Sequence, residues 1–116
     1  MLFPSHTRVY LRLGNTDMRK SINTLSVLVE GDLDFDFFSG HLFAFCNRRR
    51  NIVKILYWER NGFCLWQKRL EKDRFKWPES YEEVLQIDQR QLSWLMDGLD
   101  IHQAARYKEM KYSTMI

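Results

Sequence analysis

Residues 39–78 read SGHLFAFCNRRRNIVKILYWERNGFCLWQKRLEKDRFKWP. Three apolar runs stand in this stretch: HLFAFC at 41–46, NIVKILYWE at 51–59 and FCLWQKRLE at 63–71. Asn61-Gly62 separates the last two. A two-residue Asn-Gly loop between apolar runs is the strongest short hairpin signal, because both residues tolerate the positive φ of a type I′ turn. This turn predicts a hairpin in which Arg60 faces Phe63, Trp58 faces Leu65, Tyr57 faces Trp66 and Lys54 faces Arg69. Side chains alternate between the faces of a strand. Val53, Ile55, Tyr57, Cys64, Trp66 and Leu70 therefore share a core side, with Lys68 among them. The opposite side takes Lys54, Leu56, Trp58, Arg60, Phe63, Leu65, Gln67 and Arg69. Cations beside aromatics are what a nucleic-acid surface uses, the cations for phosphates and the rings for bases.

The charge of the chain is concentrated in the same region. Residues 48–76 hold ten Lys/Arg against three acids, whereas the whole chain carries a net charge of only +3. The remainder is thus acidic, and the basicity is local. A clustered basic patch is an electrostatic footprint for a phosphate backbone. The loop Asn47-Arg48-Arg49-Arg50-Asn51 projects three guanidiniums, whose forks match phosphate oxygens. The residues expected to contact nucleic acid are Arg48, Arg49, Arg50, Lys54, Trp58, Arg60, Arg69, Lys72 and Arg74.

Four segments, FSGHLFAFCNRRR at 38–50, KILYWERNGF at 54–63, KRLEKDRFKWP at 68–78 and TDMRKSI at 16–22, carry a resemblance that covers roughly residues 3–101. The chain resembles the small accessory protein, TnpB or the second open reading frame, of bacterial insertion sequences of the IS66 family. The resemblance implies a role in transposition beside a separate, much larger DDE transposase. It implies no relation to the RNA-guided nuclease that shares the name TnpB, whose split acidic site and zinc module have no counterpart here.

At 116 residues the chain is read as one domain over 1–101, with a C-terminal tail at 102–116 lacking a sustained period. No apolar run approaches the roughly 20 residues that span a bilayer. The N-terminal MLFPSHTRVY lacks a signal peptide's basic and apolar regions. A cytoplasmic protein without membrane contact is expected. Cys46 and Cys64 form no paired motif and no zinc spacing with His6, His41 or His102, and read as reduced thiols.

RVYLRL at 8–13 alternates Val9, Leu11 and Leu13 with Arg8, Tyr10 and Arg12, as a half-buried strand does. Thr16 is expected to cap a helix over 16–30, with Asp17 in its first turn and Met18, Ile22, Leu25, Leu28 and Val29 as its buried stripe. Residues 32–40 read as an acidic loop. Asp32, Asp34 and Asp36 have calcium-loop spacing, but Phe37 and Phe43 occupy the positions that require Gly and Glu. The segment 71–78 is expected as a short edge strand ending at Pro78. Residues 79–83 read as a solvated connection. Asp88 with Gln91 approaches a capping box for a second helix over 88–98, with Leu92, Leu95 and Met96 facing inward and Gly98 ending it. The predicted fold is α+β: an antiparallel sheet built on the basic β-meander, with two packed helices.

The expected function is that of a non-enzymatic accessory factor of transposition that binds DNA and cooperates with the transposase. A protein-interaction module that binds the transposase or another element-encoded protein without touching DNA is the alternative. A small nuclease would need convergent carboxylates. Its candidates, Asp17, Glu30, Glu59 and Asp88, each have a simpler local role. No cofactor, metal ligand or catalytic residue is expected.

Overall fold

A computed structural model describes residues 3–32 and 36–102. Five strands form one sheet: β1 (Val9–Asn15), β2 (Leu42–Cys46), β3 (Ile52–Glu59), β4 (Gly62–Arg69) and β5 (Val84–Ile87). Helix α1 (Ile22–Val27) runs into a wider π turn (Leu28–Asp32), and helix α2 (Gln89–Met96) follows β5. The strand order is β4-β3-β2-β1-β5. All neighbours are antiparallel except β1 and β2, which are parallel. A parallel pair needs a long crossover connection, and residues 16–41, with α1, supply it. The fold is thus α+β as expected. The meander β2-β3-β4 is present, but the sheet is mixed rather than purely antiparallel.

Each face of the sheet carries one layer. On one face Val9, Leu11, Leu13, Leu42, Ala44, Cys46, Val53 and Ile55 pack against Leu92, Leu95 and Met96 of α2. Phe75 and Trp77 join them from the segment after β4. On the other face Phe43, Phe45 and Leu56 pack against Leu25, Leu28 and Val29 of the α1 region. The central strand β2 is buried at all five positions because both its faces are covered, which is why HLFAFC reads as a continuous apolar run rather than an alternating one.

Four sequence expectations require correction. The hairpin closes at Glu59↔Gly62, so Arg60 and Asn61 are the loop residues. Arg60 takes the left-handed φ of 53°, and the Glu59 carbonyl accepts from the Asn61 N–H at 2.6 Å. Trp58 therefore faces Phe63, Tyr57 faces Cys64, Lys54 faces Gln67 and Ile52 faces Arg69. Each β3 residue meets a partner two places earlier in β4 than expected. A shift of two preserves the faces, so the assignment of side chains to sides survives.

Helix α1 starts at Ile22, with Ser21 rather than Thr16 at its N-cap. Backbone pairing continues past β1, with the Thr16 N–H donating to the Cys46 carbonyl at 2.9 Å. Asp17 accepts instead from the Arg19 backbone and guanidinium. Residues 71–78 are not a strand: they run irregularly so that Phe75 and Trp77 reach the core. Finally, 84–87 is a strand that the sequence reading missed. It pairs with β1, from Val9↔Ile87 to Arg12↔Val84.

The second helix agrees with its signal. The Asp88 carboxylate accepts from the Gln91 N–H and the Gln91 side chain accepts from the Asp88 N–H, a complete capping box. The centre of the acidic loop, at 33–35, and the tail beyond residue 102 lie outside the described residues.

Candidate nucleic-acid interface

The chain places three consecutive arginines in the turn between β2 and β3, and one asparagine shapes that turn. Asn47 Oδ1 accepts from the N–H groups of both Asn51 and Ile52 at 3.0 Å. Its Nδ2 donates to Asn51 Oδ1 at 2.7 Å. The Arg50 N–H closes the turn on the Asn47 carbonyl at 3.2 Å. Arg50 itself adopts φ 61°. Asn side chains hold local backbone groups in this way at turns. The flanking asparagines of NRRRN were the signal available in the sequence.

The segment after β4 is strapped to this turn. The Leu70 N–H donates to the Asn51 carbonyl at 2.8 Å, and the Phe75 N–H to the Arg50 carbonyl at 2.7 Å. Burial of Phe75 and Trp77 fixes the strap further. Lys72, Arg74 and Lys76 alternate with those anchors and point outward, all exposed. They line a cleft of about 510 Å³ with Leu70, Asp73, Asp97 and Gly98. Arg48, Arg49, Lys72, Arg74 and Lys76 are thereby brought to one end of the sheet.

The other expected contacts divide. Lys54 is buried, and its Nζ donates to the carbonyls of Met18 at 2.6 Å and Lys20 at 3.1 Å. Its face of the hairpin is covered by the α1 region, so the ammonium serves the fold. Arg50 is half-buried, with Nη1 near the Asn47 carbonyl. Its guanidinium lies beside Cys46, whose thiol is pushed up by burial, with Arg50 opposing the shift. Arg69 is at the basic end but forms an exposed ion pair with Glu71 at 3.0 Å. Lys68, from the same strand, donates to the Met96 carbonyl at the C-terminus of α2 at 2.9 Å, where a cation complements the helix dipole.

Arg60 and Trp58 lie toward the far end of the hairpin. The eight residues of β3 at roughly 3.3 Å each separate the Arg60 turn from the arginine turn by about 26 Å. Trp58 is half-buried in an aromatic cluster, edge-on to Phe63 at 5.0 Å and to Phe38 at 4.9 Å. The structure therefore separates Trp58 and Phe63 from the cations of the basic end, while Arg60 stays at their end of the hairpin.

The four acids that a nuclease would need to bring together sit on separate elements. Asp17 lies in the loop after β1, Glu30 in the turn after α1, Glu59 at the end of β3 and Asp88 ahead of α2. Among the described residues no group of three or more His, Cys, Asp or Glu is placed to hold a metal ion. Among them, too, no helix is long and apolar enough to cross a membrane. Cys46 and Cys64 are free thiols, the first buried and the second half-buried.

Comparison with known proteins agrees with the resemblance read from the motifs. Residues 7–106 match the model of a family described as IS66 Orf2 like protein. Two proteins of Sinorhizobium fredii (strain NBRC 101917 / NGR234) are similar. The uncharacterized protein y4hO is 35% identical over 95 residues, covering 82% of this chain and 83% of that protein. The uncharacterized protein y4jC is 30% identical over 117 residues, covering 100% of this chain and 99% of that protein. No solved structure matches. The family match extends from the start of β1 past the end of α2 and so takes in the whole sheet and both of its covering layers; the chain belongs to the IS66 Orf2-like family of insertion-sequence accessory proteins.

Proposed function

We propose that the protein supports transposition by binding DNA through the basic end of its sheet, in cooperation with the separate transposase. One observation carries this reading. Several of the ten cations of 48–76 are used inside the fold or in an ion pair, and Arg60 lies at the far tip. Five exposed cations, Arg48, Arg49, Lys72, Arg74 and Lys76, are left together on a braced turn and strap. Flexible surface charges need no such bracing, whereas a surface that must meet a regular array of phosphates gains from it. No chemistry on the DNA is ascribed to the protein.

The test is binding of purified protein to a labelled duplex over a range of salt. Each phosphate neutralised on duplex DNA contributes about −0.9 to the slope of log K against log salt. A slope near zero would remove DNA from the reading. For the partner, the transposase is captured from extract with and without nuclease. A complex that survives nuclease, together with a flat salt slope, would favour a protein-interaction module instead.

A further inference from the structure

Beside the arginine turn, on the side of the loop that follows β1, lies a cleft of about 330 Å³. Thr16, Asp17 and Met18 form one wall, and Asn47, Arg48 and Arg49 the other. Both walls are braced from behind. Lys54 Nζ holds the carbonyls of Met18 and Lys20. Arg12 Nη1 donates to the Asn15 carbonyl at 2.8 Å and to Thr16 Oγ1 at 2.9 Å. The Asn47 staple fixes the opposite wall.

The bracing groups are themselves charged, and among the described residues neither is paired with an acid. The ion pairs among the described residues are Arg19–Asp17 and Arg69–Glu71. Neither includes the half-buried Arg12 or the buried Lys54, which bond to carbonyl and hydroxyl oxygens instead. Arg12 Nε is also buried without a hydrogen-bond partner among the described residues. Charges withdrawn from water are ordinarily paired. The acid in the cleft wall, Asp17, is bonded to Arg19 through both carboxylate oxygens. The cleft thus carries a positive field from behind and two exposed guanidiniums at its mouth, with its one carboxylate engaged.

We infer that this cleft seats a backbone phosphate of duplex DNA, and that the basic end contacts the sugar–phosphate backbone without stacking on bases. The inference rests on the DNA-binding reading and adds to it a site and a mode. Arg48 and Arg49 meet the phosphate, while Arg12 and Lys54 supply charge from behind the wall. Stacking is left out because the aromatics of the strap at the basic end face the core. Phe75 and Trp77 are only 2% and 6% exposed, and Trp58 and Phe63 belong to the other end of the hairpin. A contact of this kind is indifferent to base sequence.

The experiment titrates the full chain into a labelled 20-base-pair duplex across a salt series, using two duplexes of unrelated sequence. Arg48→Ala/Arg49→Ala is compared with Lys72→Ala/Arg74→Ala/Lys76→Ala. All five positions are exposed, so thermal melting of both variants should match the parent. Loss of two phosphate contacts should flatten the salt slope by about 1.8, equally for both duplexes. If only the strap variant loses slope, the cleft is overturned while DNA binding at the basic end stands. If the parent shows no salt-dependent binding, the reading beneath it falls as well. Two further probes bear on the mode. Tighter binding to single-stranded oligo-dT than to duplex would overturn contact without stacking. Equal binding to polyglutamate of the same charge would overturn phosphate as the ligand.

Discussion

Lys54 reaches from the middle of the sheet to the Met18 carbonyl, 2.6 Å from its Nζ, and a second bond of 3.1 Å goes to the Lys20 carbonyl. One side chain of β3 therefore fixes the loop that leads from β1 into α1. Lys54→Met keeps the stem but leaves two carbonyls without their donor. Hydrogen bonds to a charged group are worth about 1.5–3 kcal/mol, so the variant should lose roughly that much stability. Urea unfolding measures the loss, and amide exchange should quicken first in residues 17–20. A midpoint equal to the parent's would mean that the loop holds without the ammonium.

The sequence pattern predicts Trp58 as a nucleic-acid contact, whereas it lies against Phe63 and Phe38. Trp58→Ala should therefore cost stability, by less than the roughly 3–5 kcal/mol of a fully buried large aromatic because Trp58 is only half-buried. Binding to duplex and to single-stranded DNA should be unchanged under conditions where the variant is folded. A selective loss of single-strand affinity, at unchanged stability, would return Trp58 to the interface.

The contrast between Trp58 and Asp88 shows what could be read in the chain. The capping box of Asp88 and Gln91 is local: its three-residue spacing is visible, and the structure contains it. Gly98 ends that helix with φ 84°, another local signal. The faces of the hairpin were legible because alternation survives a shift of two residues. The turn itself was not, because Arg60 accepts the positive φ expected of Asn61 and Gly62. Thr16 and Asp17 look like a helix start, but the pairing of Thr16 with Cys46, thirty residues away, and the Arg12 bond to its hydroxyl hold Thr16 to the sheet instead. The parallel pairing of β1 with β2 is likewise non-local. For the site, the period placed Lys54 and Trp58 on one face, but not the α1 layer that covers it. The exposed arginines were legible since nothing apolar stands in 47–51. The cleft beside them was not, since its second wall comes from another part of the chain.

His41 links stability to pH. Its Nδ1 accepts from the Arg8 N–H at 2.9 Å, which requires a neutral nitrogen there. Burial, with the charges of Arg8 and His6 adding to it, holds its pKa below the ordinary 6.5. A lowered folded value means that the unfolded chain takes up the proton first. The stabilising contribution is full above about 6.5, erodes as pH falls below it, and is gone once the folded value is passed. Asp17 acts in a separate, more acidic window, since hydrogen bonds from the Arg19 side chain and backbone lower it from 3.8 to about 2. His41→Asn offers an amide oxygen to the same N–H and does not titrate. Urea unfolding from pH 5 to 8 should thus show a flatter pH dependence in the variant, and an identical dependence would assign the effect to other groups.

Arg60 provides a test in which stability and binding separate. It holds φ 53° at the tip of the hairpin, a conformation that costs a residue with a Cβ about 1–2 kcal/mol. Glycine avoids that cost but gives the unfolded chain more freedom, by roughly 0.4–1 kcal/mol. Arg60→Gly should therefore stabilise the protein by up to about 1.5 kcal/mol, read as a higher urea midpoint. Its effect on DNA follows from position: the tip is about 26 Å from the arginine turn by strand rise. Affinity and salt slope should match the parent's despite the lost cation. A slope flattened by about 0.9, one phosphate's worth, would show that DNA extends along the hairpin to its tip, and the interface would then be the whole length of β3 and β4 rather than the end of the sheet.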